Sequence, residues 1–320
     1  MKKHNRKLLV LVLLAIAAAV LYMTWGVNYS NPKYFKFAMK IRSPKLIAMV
    51  VASIAIGGAS IVFQSVINNI VVTPCLLGMN SMYTLIHTTV YFFAGSASIL
   101  AVNQNAAFAV DLLLMSVLST FIYSFLFRKT NNNVLYVMLI GTVMTSFFSS
   151  IQSTLTRVMD PNEYDTLLNT LVASFSNINS EIIILCVVLL ILLVVVLRKD
   201  IALLDVITLG KDQAINLGVD YDKTVRHLLL GVTICISIAT AMIGPISFLG
   251  LIIANLSRQL MKTYRHKYLI FASAMFGVIV LVGGQLVVEH VFVYSIPVNV
   301  IITLCGGIYF LYLILKNRGV

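Results

Sequence analysis

Leu209-Gly210-Lys211-Asp212-Gln213-Ala214-Ile215-Asn216-Leu217-Gly218 lies inside a polar stretch, residues 200–227, of a chain that is otherwise mostly apolar. On both sides of it, apolar runs of about 20 residues recur, the length an α-helix needs to cross a bilayer. A chain built of such runs keeps one polar, helix-prone segment between two of them to meet something in water. The expected role is contact with a partner that pushes on it.

Composition bounds the rest. Sixty per cent of the 320 residues are hydrophobic and 11% are charged, whereas a soluble domain is about a quarter charged. The mean hydropathy is +0.97. The solvent is therefore lipid, and spanning structures there must satisfy their own backbone hydrogen bonds as helices or closed barrels. Continuous runs of this length suit helices and not the alternating strands of a barrel. The fold expected is an all-α polytopic membrane protein with about ten spans, near residues 8–25, 46–70, 76–95, 106–127, 134–154, 181–197, 228–243, 246–256, 268–288 and 298–315. The eighth is too short to cross alone and is expected to tilt or to be a half-helix packed inside protein. The basic N-terminus runs into an apolar segment without a cleavage signal, so the first helix is expected to be retained. Cys75, Cys186, Cys235 and Cys305 are scattered and read as packing residues.

The net charge of +12 does not point to nucleic acid, because the basic residues sit in short loops beside apolar spans. With the N-terminus inside, 17 Lys and Arg fall inside and 6 outside, accounting for all 23. Both termini are therefore expected to be cytoplasmic. Five of the six outer cations, Lys33, Lys36, Lys40, Arg42 and Lys45, lie in one expected loop, residues 26–45. Two readings stay open: strong neighbouring spans override this loop, or it is kept to meet something acidic outside. A second outer loop, residues 157–180, is expected to hold a short surface helix near residues 166–175.

Motifs for chemistry are missing. Gly210-Lys211 is followed by Asp212 and has no upstream glycine, so there is no phosphate-binding P-loop. No HExxH, Asp-rich pair or histidine cluster marks a metal or cofactor site. His87 and His290 stand alone in sequence, and His4, His227 and His266 fall in polar ends; each is expected to be a surface or packing residue. Asp111 is the carboxylate placed well inside an apolar span, as a proton or ion relay would be, or as a carboxylate that reaches water or pairs with a neighbouring helix. Gln64, Asn68 and Asn69 near the inner end of the second span, and Gln285 in the ninth, suit helix bridging first and a wet translocation path second. Gly57-Gly58 permits close helix approach.

Taken in order, these residues resemble the FecCD-type permeases of ABC importers for iron–siderophore complexes, haem and cobalamin, over nearly the whole chain. Arg42-Ser43-Pro44-Lys45 resembles the family's outer Arg-Leu-Pro-Arg. Gly58, Gln64, Asn68-Asn69 and Pro74-Cys75-Leu76-Leu77-Gly78 follow its Gly-x-x-x-Gln-x-x-x-x-Asn-Pro run. Leu209-Gly210, Ala214 and Leu217-Gly218 match its inner Leu-Gly-x-x-x-Ala-x-x-Leu-Gly. Gly244-Pro245-Ile246, Phe248 and Gly250-Leu251 match Gly-Pro-Ile-x-Phe-x-Gly-Leu, with Arg258 at the family's arginine. Pro297-Val298-Asn299-Val300 resembles the turn before the last helix. Asn69-Ile70-Val71-Val72 and Ala254-Asn255-Leu256-Ser257 depart from the pattern, as in a divergent branch.

The resemblance implies a type II ABC importer permease fold, a single permease domain over residues 1–320 in a bacterial cytoplasmic membrane, and no enzymatic activity on this chain. It implies cytosolic ATPase subunits, a second permease subunit (a homodimer or a heterodimer with a paralogue) and an extracellular substrate-binding protein. Leu209, Gly210, Ala214, Leu217 and Gly218 would couple to the ATPase, with glycines ending or turning short helices. Arg42 and Lys45 would dock the binding protein, Lys45 less strongly because a lysine lacks the bidentate fork. Where the family carries a third arginine, Val288, Glu289 and His290 stand. Gln64 and Asn68 are candidates for the path. The expected cargo is a ferric siderophore; haem or cobalamin, or an ion-coupled secondary carrier using Asp111, are the alternatives. The sequence itself does not name the chelate.

Overall fold

A computed structural model describes residues 2–27, 32–130, 134–173, 175 and 179–317. Thirteen helices follow in order among them: α1 (Lys2–Thr24), α2 (Pro32–Ile67), α3 (Met79–Ala94), α4 (Ile99–Val102), α5 (Gln104–Thr130), α6 (Val134–Val158), α7 (Pro161–Leu171), α8 (Ser180–Ile207), α9 (Lys211–Asn216), α10 (Tyr221–Ile243), α11 (Leu249–Met261), α12 (His266–His290) and α13 (Val298–Asn317). A 3-10 turn, Pro74–Leu77, precedes α3. Each of the ten apolar segments expected from sequence lies in a helix of its own, and the short α4, α7 and α9 are additional. Among the described residues six helices, α1, α2, α5, α8, α10 and α12, are long and apolar enough to cross a membrane. The 13 residues of α11 reach only about 20 Å, short of a hydrocarbon core about 30 Å thick.

The basic stretch before the second span is not a loop from Pro32 onward. It is the start of α2, whose 36 residues make a rod about 54 Å long. Proline suits the first helical position, where its missing N–H would be unpaired anyway, and good helix formers follow it. Pro44 sits within the helix without ending it. Residues 28–31 of the expected loop lie outside the described residues.

The core forms around α2, which packs against α8, α10, α11 and α12. Lipid is as apolar as leucine, so helices in a bilayer associate through close backbone packing and polar contacts. Here Ser53-x-x-x-Gly57 faces Ser273-x-x-x-Gly277. A Cβ on Gly277 would sit 2.8 Å from that of Ser53, and one on Gly57 would meet the Ser273 and Ala274 backbone at 3.1 Å. The close approach expected of Gly57 is thus made, against α12.

The helices leave two distinct ends. At one, the start of α1 meets α11 and α12, with Lys7 donating to the Leu260 carbonyl and the rings of His4 and Tyr268 5.9 Å apart. The last part of α13 returns there, Gln259 donating to the Tyr309 hydroxyl at 2.9 Å. α9 and the starts of α10 and α12 share this end. At the other, Trp25 and His290 rings lie 5.4 Å apart and Asn105 donates to Glu181 at 2.7 Å. The surface helix there, α7, begins at Pro161 and not near residue 166. Asp160 caps it, accepting from the Asn162 N–H at 2.9 Å, and Pro161 supplies the first position. Residues 174 and 176–178 of that segment lie outside the described residues.

Candidate functional site

The polar stretch 200–227 is not one loop: it holds the last two turns of α8, the six-residue α9 and the first turns of α10. Two glycines frame α9. Gly210 takes φ +102° at its start and Gly218 φ +81° after its end. Gly218 N–H bonds the Ile215 carbonyl at 2.9 Å and Val219 N–H the Ala214 carbonyl at 3.0 Å, the pairing that closes a helix through a left-handed residue. A Cβ at either glycine would meet nothing within 4 Å, so both are needed for backbone conformation and not for room.

The side chains divide sharply. Ala214 is fully buried, while Leu209, Ile215 and Leu217 are 52%, 51% and 63% exposed. α9 rests on α8 and α10, so Ala214 fixes it and the three large apolar groups are left for another surface. Lys211 Nζ reaches the Asp222 carboxylate at 3.0 and 2.9 Å. Its hydrogen bond to that carboxylate raises the ammonium pKa above its ordinary value. Asp220 caps α10, accepting from the Lys223 N–H at 3.1 Å.

Behind this segment lies the 244–251 turn. Gly250 approaches α2 so closely that a Cβ would fall 2.1 Å from Ser60 Oγ, which brings α11 and its Arg258 against the end of α2. Arg258 Nε donates to Gln64 Oε1 at 3.3 Å, and Gln64 Nε2 donates to the Ile70 carbonyl at 2.8 Å. Gln64 is only 1% exposed. It therefore closes the turn after α2, whereas Asn68 is exposed in a left-handed conformation, φ 54°.

The two expected docking cations are turned inward. Arg42 Nη1 donates to the carbonyls of Tyr22 at 2.6 Å and Trp25 at 2.7 Å, and its Nη2 lies 3.8 Å from Glu289 Oε2. Lys45 is 8% exposed, its Nζ 5.6 Å from the centre of the Tyr294 ring. For Arg42 the physical reason is Glu289: a carboxylate near the position of the family's third arginine collects Arg42, the Tyr22 hydroxyl at 3.2 Å and the Gln285 amide at 2.9 Å. Burial, then the charge of Glu289 and a hydrogen bond to it, push the Tyr294 phenol up to about 12, so it stays a neutral donor to that carboxylate. Lys36 and Lys40, one and two turns into α2, are exposed.

Two histidines that sequence placed at the surface or in packing have polar partners. His87 Nε2 is 2.8 Å from Asp111 Oδ2, both buried, beside a cavity of about 330 Å³ lined by Tyr83, Tyr91, Asn169 and Met242. Asp111 thus pairs with a neighbouring helix. His266 is buried between α2 and α8. Neither partner is near in sequence, so no local pattern could have revealed them.

The model of the FecCD transport family matches residues 7–316. This chain belongs to the FecCD transport family. Among its FecCD relatives, the petrobactin import system permease protein YclO of Bacillus subtilis (strain 168) is 39% identical over 319 residues, 99% of each chain. The petrobactin import system permease protein FatC of Bacillus anthracis is 30% identical over 323 residues, 99% of this chain and 91% of the relative. The FecCD chain also shares its fold with a solved inward-facing transporter assigned to the metal-chelate ABC type: TM-score 0.83, 23% identity, 98% of this chain and 99% of the other. It is a multi-pass protein of the bacterial cytoplasmic membrane.

Proposed function

We propose that this chain is one permease half of an ABC importer that carries a ferric siderophore inward, with ATP hydrolysed on separate cytosolic subunits and cargo delivered by an extracellular binding protein. The observation that carries this is the display of Leu209, Ile215 and Leu217 on and around the glycine-framed α9, in a chain whose relatives are named petrobactin import system permease proteins. Three large apolar groups held out on a polar segment suit a groove on a partner; hot spots of such interfaces are apolar or aromatic anchors in desolvated pockets. The 17-to-6 bias of Lys and Arg puts that end, with both termini, in the cytoplasm. The ten segments then form ten spans of a single permease domain, in the type II importer arrangement. The chain supplies no phosphate-binding loop of its own, in keeping with a transport subunit that is not an enzyme.

A second permease subunit, identical or paralogous, completes the path. In support, α6 exposes Thr142, Ser146, Ser150 and Ser153 along one face, an unusual surface to leave to lipid. In this reading Gln64 and Asn68 act at the path's inner end, Gln64 as a closing element. On the outer side the exposed Lys36 and Lys40, with Arg42 and Lys45 behind them, receive the binding protein.

The test is reconstitution in liposomes with the ATPase, the second permease and the binding protein, offering ferric petrobactin first because relatives bear that name. The expected result is ATP hydrolysis stimulated by the loaded binding protein and iron accumulating inside. Haem and cobalamin are offered as competing cargoes, and uptake of either in place of iron chelate would reassign the substrate. The secondary-carrier reading rests on Asp111, whose pairing with His87 in a cavity is its one support. Asp111→Asn abolishes ion-coupled uptake under that reading and leaves ATP-driven uptake within about twofold under ours.

A further inference from the structure

Asp205 ends a turn of α8 four residues before Leu209 and points across to α12. Its Oδ1 accepts from the His266 backbone N–H at 2.9 Å and lies 2.5 Å from the His266 ring Nδ1. The start of α12 has no side-chain cap of its own, so a carboxylate from another helix neutralises its free N–H groups. With Nδ1 donating to the carboxylate, Nε2 of the neutral imidazole is an acceptor, and it sits 2.9 Å from Ser65 Oγ on α2. Ser65 Oγ in turn accepts from Arg258 Nη2 on α11 at 2.9 Å. Among the described residues no carboxylate lies within ion-pair distance of Arg258; its nearest counter-charge along the bonds is Asp205, through the hydroxyl and the ring. Arg258 then holds Gln64, and both Gln64 and Asn255 Nδ2 hold the Ile70 carbonyl, Asn255 at 3.0 Å.

We infer that Asp205, His266, Ser65 and Arg258 form a hydrogen-bonded strap that ties the end of α8, next to the ATPase-contacting segment, to the turn closing α2, making His266 and Ser65 positioning residues for coupling. This rests on the functional reading above and specifies where its mechanical link runs. Every bond has a consistent donor and acceptor. Ser65, Gln64, Asn255 and His266 are buried, where polar contacts are strong and an orphaned partner is costly. The four groups come from four helices, so a displacement of the α8 end either carries the α2 turn with it or leaves a guanidinium and an imidazole unpaired. A plain packing contact has no such all-or-none character.

The experiment compares Ser65→Ala, Ser65→Thr and His266→Ala in the complete transporter, with ferric petrobactin on its binding protein. The strap predicts that Ser65→Ala and His266→Ala retain the ATPase in wild-type amounts but spend at least tenfold more ATP per iron carried. Ser65→Thr, which keeps the hydroxyl, restores the ratio to within about threefold. Wild-type stoichiometry in Ser65→Ala, a change of one oxygen, overturns the inference. If His266→Ala does not accumulate, Ser65→Ala decides alone. If the wild-type chain never recruits an ATPase or never responds to binding protein, the functional reading falls separately. The strap is then judged on the purified chain by a thermal double-mutant cycle of Asp205→Asn with Ser65→Ala. These residues share no direct bond, so a double-variant loss at least 2 °C smaller than the two single losses combined supports it, and strict additivity refutes it.

Discussion

The segment around α9 and the basic start of α2 invite comparison, because both were marked by residues out of keeping with a membrane chain. Around α9, Leu209, Ile215 and Leu217 are exposed, while Ala214, which the sequence also offered to the ATPase, is buried within the chain. At the start of α2 the two expected docking cations are turned inward. Arg42 is bound to two backbone carbonyls and approaches a carboxylate, and Lys45 is buried against Tyr294. The lesson is that a cation's availability depends on what else reaches it, whereas Leu209 and Leu217, which flank α9, are left exposed.

The sharpest way to break the contrast is Leu217→Glu. Its side chain touches little within the chain, so the fold should change by no more than about 0.5 kcal/mol. A charge placed in an apolar contact should cost about 2 kcal/mol or more of ATPase affinity, roughly thirtyfold. Co-purification and titration with the ATPase measure it; unchanged affinity would mean the segment is not the contact. Arg42→Ala comes next. If its role is internal, losing two bonds to carbonyls costs about 2 kcal/mol and lowers the apparent melting temperature of the complex by about 4 °C. A raised KM for loaded binding protein at unchanged melting temperature would instead return Arg42 to the docking surface.

The exposed cations give a smaller effect. Lys36→Glu with Lys40→Glu should raise that KM about five- to tenfold at low salt, with the difference fading by about 0.5 M salt, because exposed pairs are worth about 0–1 kcal/mol each and are screened. The smallest effect belongs to Lys211→Ala. The Lys211–Asp222 pair is well formed, but both partners are exposed, so transport should stay within about twofold. A large loss there would show that Lys211 itself meets the ATPase.

What could be read from sequence followed physical periodicity. Ten apolar segments were legible because lipid leaves the helix as the one economical solution for each. The glycines around α9 were legible because a positive φ has few other occupants. Gly57 signalled a close approach, though its partner Ser273 on α12 was not visible. The basic run that opens α2 misled, since charge suggested a loop while Pro32 and the residues after it form a helix. Glu289 with Arg42, His87 with Asp111 and His266 with Asp205 each join residues far apart in the chain. Such pairings arise from tertiary packing, which local periodicity does not encode. For Gln64 the sequence offered helix bridging first and a path second, and the structure shows it buried, accepting from Arg258 of α11 and donating to the Ile70 carbonyl.

The unbroken length of α2 has a geometric consequence. Arg42 and Ser65 ride on the same helix, about 34 Å apart at 1.5 Å per residue. A stiff rod pivoting by about 5° midway between them carries the two residues about 1.5 Å in opposite directions, around half the length of a hydrogen bond. A partner seated at the Arg42 end and release of the strap at the Ser65 end would then be a single tilt felt at both, with no relay of intermediate residues needed between them.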